Sequence, residues 1–260
     1  MKKQIAKYLV ILLLVVCANI SKAQSHQFWD GIEDFDGPTD HNPLMELQID
    51  YYFDSLVSPL PDSICTEIDR LLARNISTEL RDFILWHLLE KYQQPDYMSQ
   101  DQVFIYLYDN YFSKLEIKDL QERNLTMIAD KAERLRRLQL FCEAPNFKGK
   151  DLNGKPFNLQ EIGSNYVVIF FFDHDCYTCN EELDELKKTN LPETTIVAID
   201  TNPEPIFADD NFINISTKDI SSDLFELYDI ESAPIIYVLD RDKRIIAKKI
   251  RADQINLIIR

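Results

Sequence analysis

Seven consecutive residues, Tyr166-Val167-Val168-Ile169-Phe170-Phe171-Phe172, carry no polar group beyond one tyrosine hydroxyl. The run has the length of a strand, and β-branched and aromatic side chains favour a pleated chain. A strand without a polar face must be covered on both sides, as buried central strands are. The flanking sequence supplies the cover. Asn180 to Lys188 reads as a helix, with Leu183 and Leu186 apolar and Lys187-Lys188 at the end that favours cations. Thr195 to Asp200, Ile235 to Asp240 and Arg244 to Lys249 read as strands, and Asp223 to Tyr228 and Asp253 to Arg260 as short helices. Ahead of them Asn153-Gly154, between Phe147 and Phe157, signals a hairpin. Strands alternating with helices imply a mixed α/β sheet covered on both faces.

Before about residue 141 the pattern is helical. Ile64, Ile68, Leu71 and Leu72 mark one helix face, with Asp62 as its expected cap. A second helix is expected over Thr78 to Tyr92, a third over Gln100 to Phe112 and a fourth over Ile117 to Leu138. His87 lies beside an apolar stripe and reads as a satisfied core histidine. The third helix is rich in aromatics (Phe104, Tyr106, Tyr108, Tyr111, Phe112), a pattern that fits packing better than a ligand box. With 260 residues and about 150 per domain, the chain is read as a signal segment (1–23), an all-α N-terminal domain (24–141) and an α/β C-terminal domain (142–260).

The first residues read as an address. A cationic start with Lys2, Lys3 and Lys7 precedes the apolar run Tyr8 to Val16, and Ser21-Lys22-Ala23 offers small residues for cleavage before Gln24. A spanning anchor would want about 20 apolar residues, and Asn19, Ser21 and Lys22 interrupt too early. Lipid anchoring through Cys17 is the alternative, although Val15-Val16 lacks the small residue such a site uses. The expected location is therefore the periplasm or another exported compartment, with no stable membrane span in the mature chain. Cleavage removes Lys2, Lys3, Lys7 and Lys22 and no acid, which takes the formal charge from -16 to -20. Such a surface excludes nucleic-acid binding and favours neutral or basic partners. The five glycines form no phosphate cradle, and neither H-E-x-x-H nor G-x-S-x-G occurs, so no cofactor is expected.

Export implies an oxidising compartment. Four cysteines remain after cleavage: Cys65, Cys142, Cys176 and Cys179. Cys65 and Cys142 read as inert thiols or as a bridge between the two domains. Cys176-Tyr177-Thr178-Cys179 lies where the apolar strand ends and a helix begins. A thiolate there is stabilised by unpaired backbone N–H groups and the helix dipole. Cys176 is the expected attacking thiol and Cys179, one turn inside, the resolving one. A structural disulfide and half of a zinc site are the other readings; zinc would want two further ligands, and only His174 is near.

Residues 144–260 resemble the thioredoxin-like domain of the TlpA/ResA class of exported thiol–disulfide oxidoreductases. The match lies in Ala144-Pro145-Asn146-Phe147, Asp151-Leu152-Asn153-Gly154-Lys155 and Leu159, the strand leading into C-x-x-C, Leu227-Tyr228-Asp229-Ile230, Ala233-Pro234 and Tyr237-Val238-Leu239-Asp240. The resemblance implies that Pro234, after Ala233, is the cis-proline that faces the cysteines and pairs with an extended substrate. It also implies protein thiols and disulfides as partners, with an electron donor it does not name. Residues 25–141 resemble an uncharacterised helical domain that precedes thioredoxin domains in exported bacteroidete proteins, and Asp173-His174-Asp175 resembles the D-P-D-C variant of that group.

The departures concern charge. The class's frequent tryptophan before the first cysteine is Asp175, and Phe170 stands where ordinary thioredoxins bury an acid. Asp173, Asp175, Glu181 and Glu182 crowd the motif and disfavour a thiolate, with His174 as a further modulator. Stabilised thiolates make strong oxidants, so reduction or isomerisation of protein disulfides is expected here rather than oxidation. A thiol peroxidase would want threonine where Asp173 stands, and a non-enzymatic binding protein on a thioredoxin-like scaffold is the remaining alternative.

Overall fold

The computed structural model of the protein describes residues 28–32, 42–95, 97–114, 117, 118, 120–220 and 223–259. The expected signal segment 1–23 and Cys17 lie outside the described residues. Among the described residues no helix is long and apolar enough to cross a membrane. The chain forms two compact units, one of residues 1–95 and 106–121, the other of 96–105 and 122–260.

The helices in chain order are α1 (Pro43–Tyr51), α2 (Pro61–Leu72), α3 (Thr78–Lys91), α4 (Asp101–Leu107) and α5 (Glu122–Arg137). Single π-helical turns extend α1 over Tyr52–Leu56 and α4 over Tyr108–Phe112. Asp62 does not cap α2: Leu60 is the N-cap and Pro61 opens the helix, because proline lacks the N–H that a first-turn residue would leave unpaired. Ser77 caps α3 by accepting the Leu80 N–H at 3.1 Å. His87 is half-buried and satisfied, its Nε2 lying 3.0 Å from Asp50 Oδ1. Phe104 and Phe112 are buried, whereas the Tyr106 and Tyr111 hydroxyls donate to Asp69 at 2.6 and 2.5 Å. The aromatic third helix is thus committed to packing and hydrogen bonds. The fourth expected helix begins at Glu122 rather than Ile117. It belongs to the second unit, although the change from helical to strand patterning falls later, near residue 141.

The second unit carries a seven-stranded mixed sheet with order β2-β1-β5-β4-β3-β6-β7. In chain order its elements are β1 (Lys148–Asp151), β2 (Pro156–Asn158), β3 (Tyr166–Phe172), α6 (Tyr177–Lys188), β4 (Thr194–Asp200), β5 (Ile213–Ile220), α7 (Leu224–Tyr228), β6 (Ile235–Leu239), β7 (Ile245–Lys248) and α8 (Ile255–Ile258). Gly154, at φ +80, turns the β1–β2 hairpin, and Asp151 Oδ1 accepts the Asn153 and Lys155 N–H groups. β3 is central, parallel to β4 and antiparallel to β6. Alternate β3 side chains enter opposite cores, as a period of two requires. Val167, Ile169 and Phe171 join Leu224, Tyr228 and Tyr237; Val168, Phe170 and Phe172 join Leu183, Leu186 and Ile255. β5 is a strand that the residue pattern did not announce. Its Asn214 and Ser216 are polar yet buried, Asn214 being satisfied by the Ala208 N–H and the Asp209 and Phe212 carbonyls.

One buried ion pair ties α4 to the sheet edge. Lys248 Nζ contacts Asp101 Oδ2 and donates to the Leu138 carbonyl at 2.6 Å, with both side chains almost fully enclosed. Burial pulls the Lys248 pKa down, while Asp101 opposes that fall. Breaking such a pair leaves an uncompensated charge. Lys248→Met is expected to cost about 3–5 kcal/mol, and adding Asp101→Leu should recover most of it, read by urea unfolding.

Candidate active site

After Phe172 the residues Asp173-His174-Asp175 turn the chain into α6, and the Cys176 N–H donates to the Asp173 carbonyl at 3.0 Å to close the turn. Cys176 is the helix N-cap, and its Sγ accepts the Cys179 N–H at 3.3 Å. A first-turn amide is therefore aimed at this sulfur. Cys176 is partly exposed. Cys179 is 0% exposed and packs in the cluster that holds Phe170, Phe172 and Leu183. Burial pushes the Cys179 thiol up to about 12; neighbouring Cys176 and Asp173 add to the rise, and a backbone hydrogen bond at Asp173 opposes it. One partly exposed cysteine and one enclosed, protonated cysteine make an asymmetric dithiol. Cys65 and Cys142 are also thiols, Cys65 with its pKa pushed up to about 12 by burial.

The Ala233–Pro234 peptide bond is cis. Ala233 and Cys176 are both partly buried against the cluster that contains Cys179. Phe170 is wholly buried and stacks on Phe172 with ring centroids 5.2 Å apart, so the acid of ordinary thioredoxins is replaced by an aromatic pair.

The acids around the motif are not equivalent. Asp173 Oδ1 accepts the Asp175 N–H and the Asn202 side-chain amide, which hold its carboxyl below the usual range. Asp175 is 79% exposed at its side chain and also receives the Asn202 amide, at 3.0 Å. Glu182 is committed elsewhere, accepting the Ala252 N–H at 2.6 Å. Glu181 pairs with the exposed Tyr177 hydroxyl and raises its pKa. His174 Nδ1 lies 2.7 Å from Oδ2 of Asp200, which is 1% exposed at the end of β4. That hydrogen bond raises the His174 pKa. Asp173, His174 and Asp200 bring ligand-type atoms within 4.8 Å of one another. Each is already bonded to protein, so the arrangement is a hydrogen-bond network and no metal ligands are assigned.

Asp200 and Asn202 are the residues that sequence reasoning missed. The only available signal was an acid closing the otherwise apolar strand Ile196-Val197-Ala198-Ile199.

Residues 141–248 match the AhpC/TSA family model. Over 91% of each chain, the structure superposes on a thioredoxin-like protein from Bacteroides caccae at 17% identity and a TM-score of 0.70. The second unit is a thioredoxin fold. Two further solved structures each align with just under half of this chain. A domain of a possible thiol-disulfide isomerase from Cytophaga hutchinsonii is 26% identical over 46% of this chain and 89% of that one, with a TM-score of 0.39. The thioredoxin domain of a thiol-disulfide oxidoreductase from Bacteroides vulgatus is 21% identical over 47% and 99%, also at 0.39. Among curated proteins none matches.

The thioredoxin-fold geometry makes the two thiols chemically distinct. At neutral pH iodoacetamide should modify Cys176 at least about a hundredfold faster than Cys179, as read by peptide mass mapping. Linkage gives a second expectation. Between 9.0 and about 12 the folded chain retains the Cys179 proton that the unfolded chain has lost. Stability of the dithiol form should therefore fall as pH rises across that window, and Cys179→Ala should flatten the fall; urea unfolding at about pH 8 and about pH 10.5 compares them.

Proposed function

We propose that the protein is an exported thiol–disulfide oxidoreductase that reduces or isomerises protein disulfides through Cys176 and Cys179. The observation that carries this reading is the asymmetric pair at the start of α6, one cysteine partly exposed with its sulfur accepting a first-turn amide and its partner enclosed one turn behind. Ala233, which precedes Pro234, packs against the same core cluster as the two cysteines, and the resemblance to the TlpA/ResA class implies that an extended substrate pairs there. Export is supported by the cationic start and apolar run of residues 1–16.

The chemistry balances as two exchanges. Cys176 thiolate attacks a substrate disulfide, forms a mixed disulfide and releases one substrate thiolate, which takes up a proton. Cys179 then gives up its proton and attacks Cys176 Sγ, releasing the second substrate thiolate and leaving a Cys176–Cys179 disulfide. Two electrons pass to the substrate, and a dithiol reductant must return them for turnover. In isomerisation the second attack comes from another substrate thiolate, and the pair ends reduced. Burial of Cys179 disfavours its thiolate, which works against resolution and in favour of that alternative.

The family match brings the thiol peroxidase reading forward. Against it stands Asp173, whose carboxylate occupies the position three residues before Cys176 where that chemistry uses threonine. Insulin reduction should be lost in Cys176→Ser. Cys179→Ser should accumulate a mixed disulfide at Cys176, visible as a mass adduct that dithiothreitol removes. Undiminished insulin reduction in Cys176→Ser, or rapid peroxide consumption without disulfide reduction, would reject the proposal.

A further inference from the structure

The exchange chemistry of Cys176 and Cys179 does not itself require Asp200, yet Asp200 is buried and fully engaged. Its Oδ1 accepts the Asn202 N–H at 3.0 Å and its Oδ2 the Ile206 N–H at 3.0 Å, so two bonds close the loop after β4. The third reaches across to His174 Nδ1 in the motif turn. A buried carboxylate needs its oxygens satisfied, but the loop amides already supply one donor to each. The bond to His174 adds what loop closure does not call for, a titratable group held beside the reactive pair.

The register explains the reach. Phe172 and Asp200 are partners across the parallel strands. His174 is the second residue beyond Phe172 and the second before Cys176, so its Cα lies within about 7 Å of that of Cys176. The Asn180 side chain donates to the His174 carbonyl at 2.9 Å and ties the turn to the first turns of α6. The charged groups facing the imidazole are Asp200 from β4, and Asp175 and Asp173 from its own turn, with Asp175 Oδ1 3.7 Å from Nε2. Asn202, a neutral amide, bridges Asp173 and Asp175.

We propose that Asp200, through its hydrogen bond to His174, is a positioning residue that sets the thiolate character of Cys176 and hence the reduction potential of the 176/179 pair. An imidazolium cancels one of the three carboxylate charges and so favours the thiolate. When it deprotonates, the local charge becomes more negative by one and the thiolate is disfavoured. Asp200 holds the imidazole pKa above its ordinary value. The assistance to Cys176 is therefore present below that raised midpoint and is lost as pH climbs through it. Loss of the cation destabilises the reduced form in its thiolate state and makes the pair more reducing. The proposal takes Cys176 as the attacking thiol and so rests on the redox reading above.

The test is the iodoacetamide rate of Cys176 against pH, by mass mapping, in the full chain and in His174→Gln and Asp200→Asn. The native profile should deviate from a single thiol titration with a step at the His174 midpoint, which imidazole NMR locates independently. His174→Gln should abolish the step and slow alkylation about threefold at neutral pH; Asp200→Asn should keep the step and move it to lower pH. A merely structural role for Asp200 would lower the imidazole midpoint seen by NMR without moving any feature of the Cys176 alkylation profile. One unchanged single-thiol profile in all three proteins overturns the proposal. Should the variants not fold, the native chain decides. Coupling is reciprocal, so the His174 midpoint must differ between the disulfide and dithiol forms, and equal midpoints overturn the proposal. Insulin reduction separates the two readings: its absence alongside a clear alkylation step rejects the oxidoreductase and leaves the coupling, whereas its presence with a featureless profile rejects the coupling alone.

Discussion

Parallel pairing of β3 with β4, from Tyr166 opposite Thr194 to Phe172 opposite Asp200, is the constraint on which the rest of this site hangs. Parallel strands finish at the same edge of a sheet, and the turns that leave them start side by side. The open edge is partly sealed by Thr201, whose N–H and hydroxyl both donate to the Phe172 carbonyl, at 2.8 and 3.0 Å. The loop after β4 is thereby held against the turn into α6, where Asn202 meets Asp173 and Asp175. Crevices outside the carboxyl ends of parallel strands are where α/β proteins place ligands, for this geometric reason.

The pleat adds the second constraint. Because Phe170 and Phe172 point to the same face as Cys179, that thiol is enclosed in an aromatic-rich core, with no carboxylate on that stretch of strand. A register slip of one residue would exchange the two cores and carry Phe170 and Phe172 away from this sulfur. Burial, more than any neighbouring charge, is what keeps Cys179 protonated. The carboxylate nearest to the missing one in function enters from β4 and acts through an imidazole.

Charge is handled differently away from the site. Asp229, buried and left-handed at φ +50 after α7, is held by Lys131 and Arg134 of α5 and approached by Lys249 at 3.6 Å. Lys131 also pairs with Glu231, only three residues before Pro234. An all-helical reading of the segment before residue 141 would leave these cations on a solvated face. The fold uses them to pin the approach to the cis bond.

Short-range chemistry sufficed for much of this. The unbroken apolar run made β3 central, Asn153-Gly154 demanded a tight reversal, and C-x-x-C after a strand marked the start of α6, because each depends on neighbours within a few residues. The helices of the first unit followed from apolar spacing, though capping by Leu60-Pro61 instead of Asp62 was a local competition that periodicity does not resolve. Strand β5 was not legible because its polar Asn214 and Ser216 read as exposed residues, whereas the preceding loop satisfies Asn214 and the Lys218 N–H satisfies Ser216 in a buried strand. Asp200 escaped for the same reason: an acid at a strand end is ordinary until packing removes its water and brings His174 to it. Residue spacing can place two sulfurs one helical turn apart. Which of them is enclosed, and which carboxylate governs the partly exposed one, depends on burial and strand register, quantities that exist only once distant segments have packed.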